Sequence, residues 1–325
     1  MKVLSLFSGI GAFEKALKNL GANYELVNYC EIDEWASKSY SQIHNVSEDL
    51  NLWDVTTIDT NKLPKDIDLL THGSPCQDFS IAGDQEGGDK DSGTRSSLMW
   101  ETVRIIEDIK PKIIIWENVK NVLNPKHIHN LEAYIKSLNE LGYNSCYQVL
   151  CAKDYGMPQN RERLFCVSIR KDIDHGKFKF PNPVKLDKVI KDFITDFDSP
   201  RKVNKTLLPY FADEWKREYN SPSGCIKVFD GECQGIFNSD YTNKRIYSMY
   251  GVCPTITCNN SINISELKGK LNTIESWRLM GFTDEDYNKA SATGIPEGQL
   301  KKQAGNSIVV NVAQAILRQI FCSNK

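Results

Sequence analysis

Residues 73–80 read Gly-Ser-Pro-Cys-Gln-Asp-Phe-Ser, which puts one thiol, Cys76, directly after a proline at the end of an apolar run (Ile67, Leu69, Leu70). Pro75 biases Ser74 toward an extended conformation and ends the strand abruptly. A polar, glycine-rich stretch, Gln77–Ser97, follows. That setting suits a nucleophile on a strand-to-loop turn, where a thiol can face a pocket and gain thiolate character from N–H donors or arginine. Cysteines are more often inert packing, and Cys30, Cys146, Cys151 and Cys166, in or beside apolar segments, read that way.

Three further groups could share the chemistry. Glu117 follows the apolar run Ile113–Trp116. A carboxyl in an apolar-lined site tends to a raised pKa and can donate or share a proton; the alternative is that Glu117 or Asn118 begins the next segment as a cap. Arg161 and Arg163 lie two apart before an apolar strand. Side chains at that spacing on a strand point the same way and can clamp an anionic or carbonyl-bearing ligand; the alternative is a solvated edge paired with Glu162. Phe7-Ser8-Gly9-Ile10-Gly11-Ala12 joins a first strand to a first helix, and Glu31 stands 20 residues after Gly11. An acid there can accept hydrogen bonds from both ribose hydroxyls. A dinucleotide would favour a third glycine where Glu14 stands. A carboxylate there would repel a pyrophosphate, which favours a nucleoside without phosphates, such as S-adenosylmethionine.

The elements around these residues alternate. Lys2–Phe7, Tyr24–Tyr29, Ile67–Thr71 and Ile113–Trp116 read as strands, with a short one before Asp54-Val55; Tyr147–Leu150 and Leu164–Ile169 read as a further strand pair. Helices are predicted after the glycine turn and over Trp35–Ile43, Leu98–Ile109 and Ile128–Leu141. Strands alternating with helices imply an α/β fold, doubly wound around a mostly parallel sheet. In such a sheet the carboxyl ends of the strands share one crevice, so Glu31, Asp54, Cys76 and Glu117 converge. After about residue 180 the alternation stops, and a smaller, irregular segment runs to about 265. Between Lys177 and Arg245 there are 13 Lys and Arg against 10 Asp and Glu, a local basic surplus in a chain whose net charge is −2. Any nucleic acid must therefore meet basic residues gathered on one face. The helix around Val309–Ile320 looks made to return to the first domain, which makes the smaller segment an insertion. Ten cysteines without a C-x-x-C pair point to reduced thiols in a cytoplasm and to no metal site. No apolar run approaches the ~20 residues of a membrane span.

In this order, the motifs resemble those of the DNA (cytosine-5) methyltransferase family over nearly the whole chain. Gly73–Ser80 is similar to its Pro-Cys-Gln nucleophile motif, Glu117-Asn118-Val119 to its cytosine-binding motif and Gln159–Arg163 to its paired-arginine motif. Arg278-Leu279-Met280-Gly281-Phe282 and Gly305-Asn306-Ser307 match its two C-terminal motifs. The resemblance implies a Rossmann-like S-adenosylmethionine methyltransferase fold on 1–180 and 285–325, a target recognition domain on 181–265, and a connecting segment on 266–284. It implies Cys76, Glu117, Arg161 and Arg163 as catalytic residues. The implied cofactor residues are Phe7, Ser8, Gly9, Ile10 and Gly11 in the turn, Glu31 and Ile32 at the ribose, and Asp54 and Val55 at the adenine. Pro75, Leu98, Asn306 and Ser307 complete that set. Gln77, Ser80 and Arg95 fall in the catalytic loop, although the order Asp91-Ser92-Gly93-Thr94-Arg95 departs from the family's usual Ser-Arg-Gly-Thr. The implied partner is double-stranded DNA, methylated by a monomer, with a separately acting restriction endonuclease as a candidate companion. The implied cofactor is S-adenosyl-L-methionine, released as S-adenosyl-L-homocysteine, with no metal. A tRNA cytosine-5 methyltransferase and a catalytically silent DNA-binding relative remain as alternatives, and an NAD-dependent oxidoreductase is disfavoured by Glu14.

Overall fold

The computed structural model describes residues 1–79, 87–90, 92–212, 219–220, 224–231, 244–258 and 262–323. Its contacts divide the chain into two compact units: Met1–Leu150, Glu162–Pro181 and the segment from Ala313 in one, Cys151–Arg161 and Asn182–Val312 in the other. The second unit is thus wider than the segment 181–265 marked out in the sequence.

In chain order the first unit contains β1 (Lys2–Leu6), α1 (Ala12–Asn19), β2 (Glu25–Cys30), α2 (Glu34–His44), β3 (Leu69–His72), α3 (Met99–Ile109), β4 (Ile113–Val119), α4 (Ile128–Glu140) and β5 (Tyr143–Cys151). After β6 (Gln159–Asn160), which belongs to the second unit, β7 (Glu162–Arg170) returns to the first. The sheet runs β2-β1-β3-β4-β7-β5. Strands β1 to β4 are parallel, and β7 pairs antiparallel with β4. Leu4, Leu70, Ile114 and Ile115 are fully buried. Near-continuous apolar strands of this kind fit a sheet covered on both faces, each such side chain contributing about 1.5–3 kcal/mol. From β1 the chain goes to β2 on one side and then to β3 on the other. That reversal opens a crevice at the carboxyl ends of β1 and β3.

Two expectations change here. No strand precedes Asp54: Asn51 makes a single parallel bridge to Tyr29, and the Asp54 side chain caps a short 3-10 turn, Val55–Thr57. Glu117 does not end its strand, because antiparallel pairing with β7 carries β4 on to Val119, opposite Arg163.

The second unit holds a five-stranded sheet, β13-β12-β10-β9-β8, made of β8 (Tyr219–Asn220), β9 (Ile226–Asp230), β10 (Arg245–Tyr247), β12 (Asn263–Ile264) and β13 (Gly269–Lys270), while β11 (Cys253–Pro254) pairs with β6. Leu207, Phe211, Val228, Phe229 and Ile246 form its small core. Helices α5 (Thr273–Arg278), α6 (Asp284–Ser291) and α7 (Glu297–Asn306) follow, and α8 (Val310–Ser323) passes from the second unit into the first.

Candidate active site

Strand register fixes which residues meet. Leu6 stands opposite Cys30 on one side and His72 on the other, and His72 stands opposite Trp116. The next residue in each case lies at the carboxyl end of the parallel part of the sheet: Phe7, Glu31 and Gly73 leave it there, and Glu117 continues in β4 paired with β7. Residues from four distant stretches of sequence are thereby brought to one crevice.

At the β1–β2 end the backbone does the holding. Phe7, Gly9 and Gly11 all have positive φ (50°, 56° and 78°). A Cβ on Gly11 would sit 2.1 Å from His44 Nε2, so no other residue fits there, whereas a Cβ on Gly9 would meet nothing within 4 Å. The Gly9 N–H donates to Glu31 Oε2 and the Asp33 N–H to Glu31 Oε1, both at 2.8 Å. Ser8 N–H and Oγ donate to the Cys30 carbonyl. Ile10 and Val55 are buried, which leaves only their backbones to meet a ligand; the Ile10 carbonyl meets His44 Nε2 at 3.1 Å. Ile32 is 70% exposed.

Asn51, which nothing in the local sequence singles out, joins this end together. Its Oδ1 accepts from Glu31 N–H (3.0 Å) and Trp53 N–H (2.9 Å), and its Nδ2 donates to the Glu31 carbonyl and Ser37 Oγ, each at 2.9 Å. Asn in a polar connection is a turn signal, but its partners lie up to 20 positions away. Glu14 corrects a sequence argument. It is 1% exposed on the inner side of α1, and burial raises its carboxyl pKa. Its carboxyl is turned inward and not toward solvent, which removes the ground for expecting it to repel a pyrophosphate.

At the β3–β4 end side chains do the holding. Cys76 is half-buried in a turn closed by Phe79 N–H donating to the Cys76 carbonyl. On one side of it, Ser74 is buried: its Oγ accepts from Trp116 Nε1 at 2.9 Å, and its carbonyl accepts from Asn118 Nδ2 at 3.2 Å. On the other side, Asn121 Nδ2 donates to the Phe79 carbonyl at 2.6 Å. Cys30 and Cys166 show the contrast, since burial pushes both thiols up to about 12. Cys146, expected to pack, is exposed. Beneath the turn, His72 is buried against Trp116 and bonds the Tyr134 hydroxyl at 2.8 Å; burial pushes its pKa down to about 3.

The two arginines separate. Arg163 Nε lies 3.2 Å from Glu117 Oε1, with both side chains mostly buried. Arg161 does not join a clamp. It is 4% exposed, and its guanidinium donates to the carbonyls of Ile256, Gly305 and Ser307 at 2.6–2.9 Å. It is a cross-brace of the second unit, so its catalytic assignment is withdrawn. Asn306 is exposed at the end of α7, and Ser307 is buried.

In the glycine-rich stretch, Ser80 and residues 81–86 lie outside the described residues, as does Asp91. Gly88 is packed against Phe79, and its carbonyl accepts from Trp100 Nε1. Asp78 and Ser96 bond each other through N–H to side-chain oxygen. The described flanks of the glycine-rich stretch are therefore fastened. Gln77 and Arg95 are exposed, and Pro75 and Leu98 are half-buried. Among the described residues no group of three His, Cys, Asp or Glu is set to hold a metal ion, and no helix is long and apolar enough to cross a membrane.

Solved structures with this fold include the Dnmt2 methyltransferase of S. pombe (20% identical, TM-score 0.69, 98% of each chain) and a putative DNA modification methyltransferase encoded in an E. coli prophage (20% identical, TM-score 0.66, 99% of each chain). They define the fold class, an α/β methyltransferase fold. The chain itself belongs to the C-5 cytosine-specific DNA methylase family, whose model matches residues 1–322, and its activity is that of a DNA cytosine-5 methyltransferase. Curated relatives include the type II methyltransferase M.HhaI of Haemophilus parahaemolyticus, 32% identical over 99% of this chain and 95% of the relative. Another is the orphan methyltransferase M.SPBetaI of Bacillus phage SPbeta, 30% identical over 99% and 97%.

Proposed function

We propose that this enzyme transfers the methyl group of S-adenosylmethionine to C5 of a cytosine turned out of a specific duplex DNA sequence, with Cys76 as covalent nucleophile. The observation that carries the reading is the row at the carboxyl end of the parallel strands: Glu31, the turn to Cys76 and Glu117 lie along one side of one sheet, and Glu117 is paired with Arg163. The residues fit a nucleoside cofactor. The Glu31 carboxylate is held at the strand end by two N–H groups, where it can accept from ribose hydroxyls, and the space above Gly9 is open. When bound, the cofactor supplies an electrophilic methyl group on sulfur.

C5 of cytosine is a poor nucleophile. A Cys76 thiolate adding at C6 turns the ring into an enamine and makes C5 reactive. Glu117 holds a proton at N3 and stabilises the adduct, and Arg163 meets the O2 side. With C5 methylated, loss of its proton expels the Cys76 thiolate and restores the aromatic ring. Both faces of a stacked base are covered, so the base must leave the helix, at a cost of a few kcal/mol. Residues 181–265 read the target sequence, and the enzyme works in the cytoplasm.

The test is covalent trapping. Duplex DNA carrying 5-fluorocytosine, incubated with enzyme and S-adenosylmethionine, gives a denaturant-resistant complex with the wild type and none with Cys76→Ser. Absence of the wild-type complex on any duplex that bisulfite sequencing shows to be methylated removes the thiol route. Methyl incorporation into tRNA but not DNA would move the substrate to RNA.

A further inference from the structure

Trp53 occupies a backbone conformation that a large side chain rarely adopts, with φ at +58°. The conformation is held from both sides. Its N–H donates to Asn51 Oδ1 at 2.9 Å, and its carbonyl accepts from the Cys30 thiol at 3.0 Å. Glycine would sit there without strain, yet the residue is an indole, and 41% of it is exposed. Among the described residues eight large apolar side chains are exposed, and three of them flank Glu31: Ile32 (70%), Trp35 (36%) and Trp53 (41%). Asn51 bonds both main-chain groups of Glu31 as well as Trp53 N–H, so the backbones of Trp53 and Glu31 are fixed by the same amide. Asp54, the next residue, turns its carboxylate into the following 3-10 turn.

A strained, exposed aromatic whose backbone is tied through Asn51 to that of the proposed ribose-binding glutamate has one ready use, to cover a flat ring attached to that ribose. We propose that Trp53 is an affinity-determining wall for the purine base of the cofactor, with Ile32 as a second apolar contact. This rests on the S-adenosylmethionine reading of the crevice. It assigns to Trp53 a role in binding and none in the methyl-transfer step.

The substitution that isolates the side chain is Trp53→Gly, because glycine keeps the left-handed backbone. Affinities of the full-length enzyme for S-adenosylhomocysteine and for adenosine are measured by calorimetry, together with KM and kcat. Stacking contributions of aromatic pairs correspond to about a two- to tenfold effect. Trp53→Gly weakens both ligands by that factor and raises KM for S-adenosylmethionine equally, with the loss in KM and not in kcat. Trp53→Phe recovers most of the affinity. If Trp53→Gly binds both ligands as the wild type does and only melts at a higher temperature, Trp53 is a strained surface residue and the proposal is wrong. If the wild type binds neither S-adenosylmethionine nor S-adenosylhomocysteine, the cofactor reading falls and takes this one with it.

Discussion

The two ends of the crevice are built by different means. At the β1–β2 end, Glu31 is gripped by the N–H groups of Gly9 and Asp33 and by the Asn51 amide. Glycines and positive φ angles set that geometry, and it is complete within the first 53 residues. At the β3–β4 end, the turn to Cys76 is held by side chains from another strand, Trp116 and Asn118 on Ser74, with Asn121 on Phe79. A backbone-held acid suits a ligand that must always be met in one pose. The turn at the thiol is fixed by other residues than those that fix the acid, so one can be altered without disturbing the other. Under the proposed function, binding and bond-making are mechanically separable, and substitutions should fall on one side or the other.

The largest effect tests the thiol end alone. Cys76→Ser is expected to cost at least about 10³-fold in methyl incorporation, given what nucleophile removal costs elsewhere, while S-adenosylmethionine binding measured by equilibrium dialysis stays within twofold. Loss of both would erase the separation. Glu31→Gln tests the other end. Charge-assisted hydrogen bonds contribute about 1.5–3 kcal/mol, so cofactor KM should rise roughly 10- to 100-fold with kcat little changed. Asn118→Ala releases Ser74 from one of its two braces and should lower kcat about tenfold at unaltered cofactor KM; a shift in KM instead would show the ends to be coupled.

The smallest effect appears only in acid. His72 lies under the thiol turn with its pKa at about 3, against about 6.5 when unfolded. Between those values the unfolded chain binds a proton that the folded chain refuses. Its stabilising contribution is therefore complete above pH 6.5 and declines as pH falls, by about 1.4 kcal/mol per pH unit. Urea midpoints of the wild type should drop between pH 6.5 and 4 more steeply than those of His72→Asn. Equal slopes would show that the ring is solvated on some accessible path.

How legible all this was in the sequence follows the same divide. The parallel strands were legible because Val3-Leu4, Leu69-Leu70 and Ile113-Ile114-Ile115 are apolar on both faces and bounded by turn residues. Cys76, Glu31 and Glu117 were legible because chemistry needs those residue types where apolar strand runs stop. Asn51, Ser74 and Asn118 were not singled out as positioning residues, since an amide that braces a turn 20 or 44 positions away looks like any loop amide. Arg161 was misread because the sequence shows a guanidinium but not its acceptors, and here three backbone carbonyls take its terminal nitrogens. The sheet of the second unit was missed because strands of two to five residues are too short to display an alternation.

The Arg161 brace also dictates an order of assembly. Its acceptors at Gly305 and Ser307 lie 144 and 146 residues downstream. The four parallel strands are all translated by Val119, but a nascent chain that stops short of Ser307 leaves this guanidinium without the acceptors that make its burial tolerable. The second unit can therefore complete this brace only once Ser307 has been made, well after the four parallel strands.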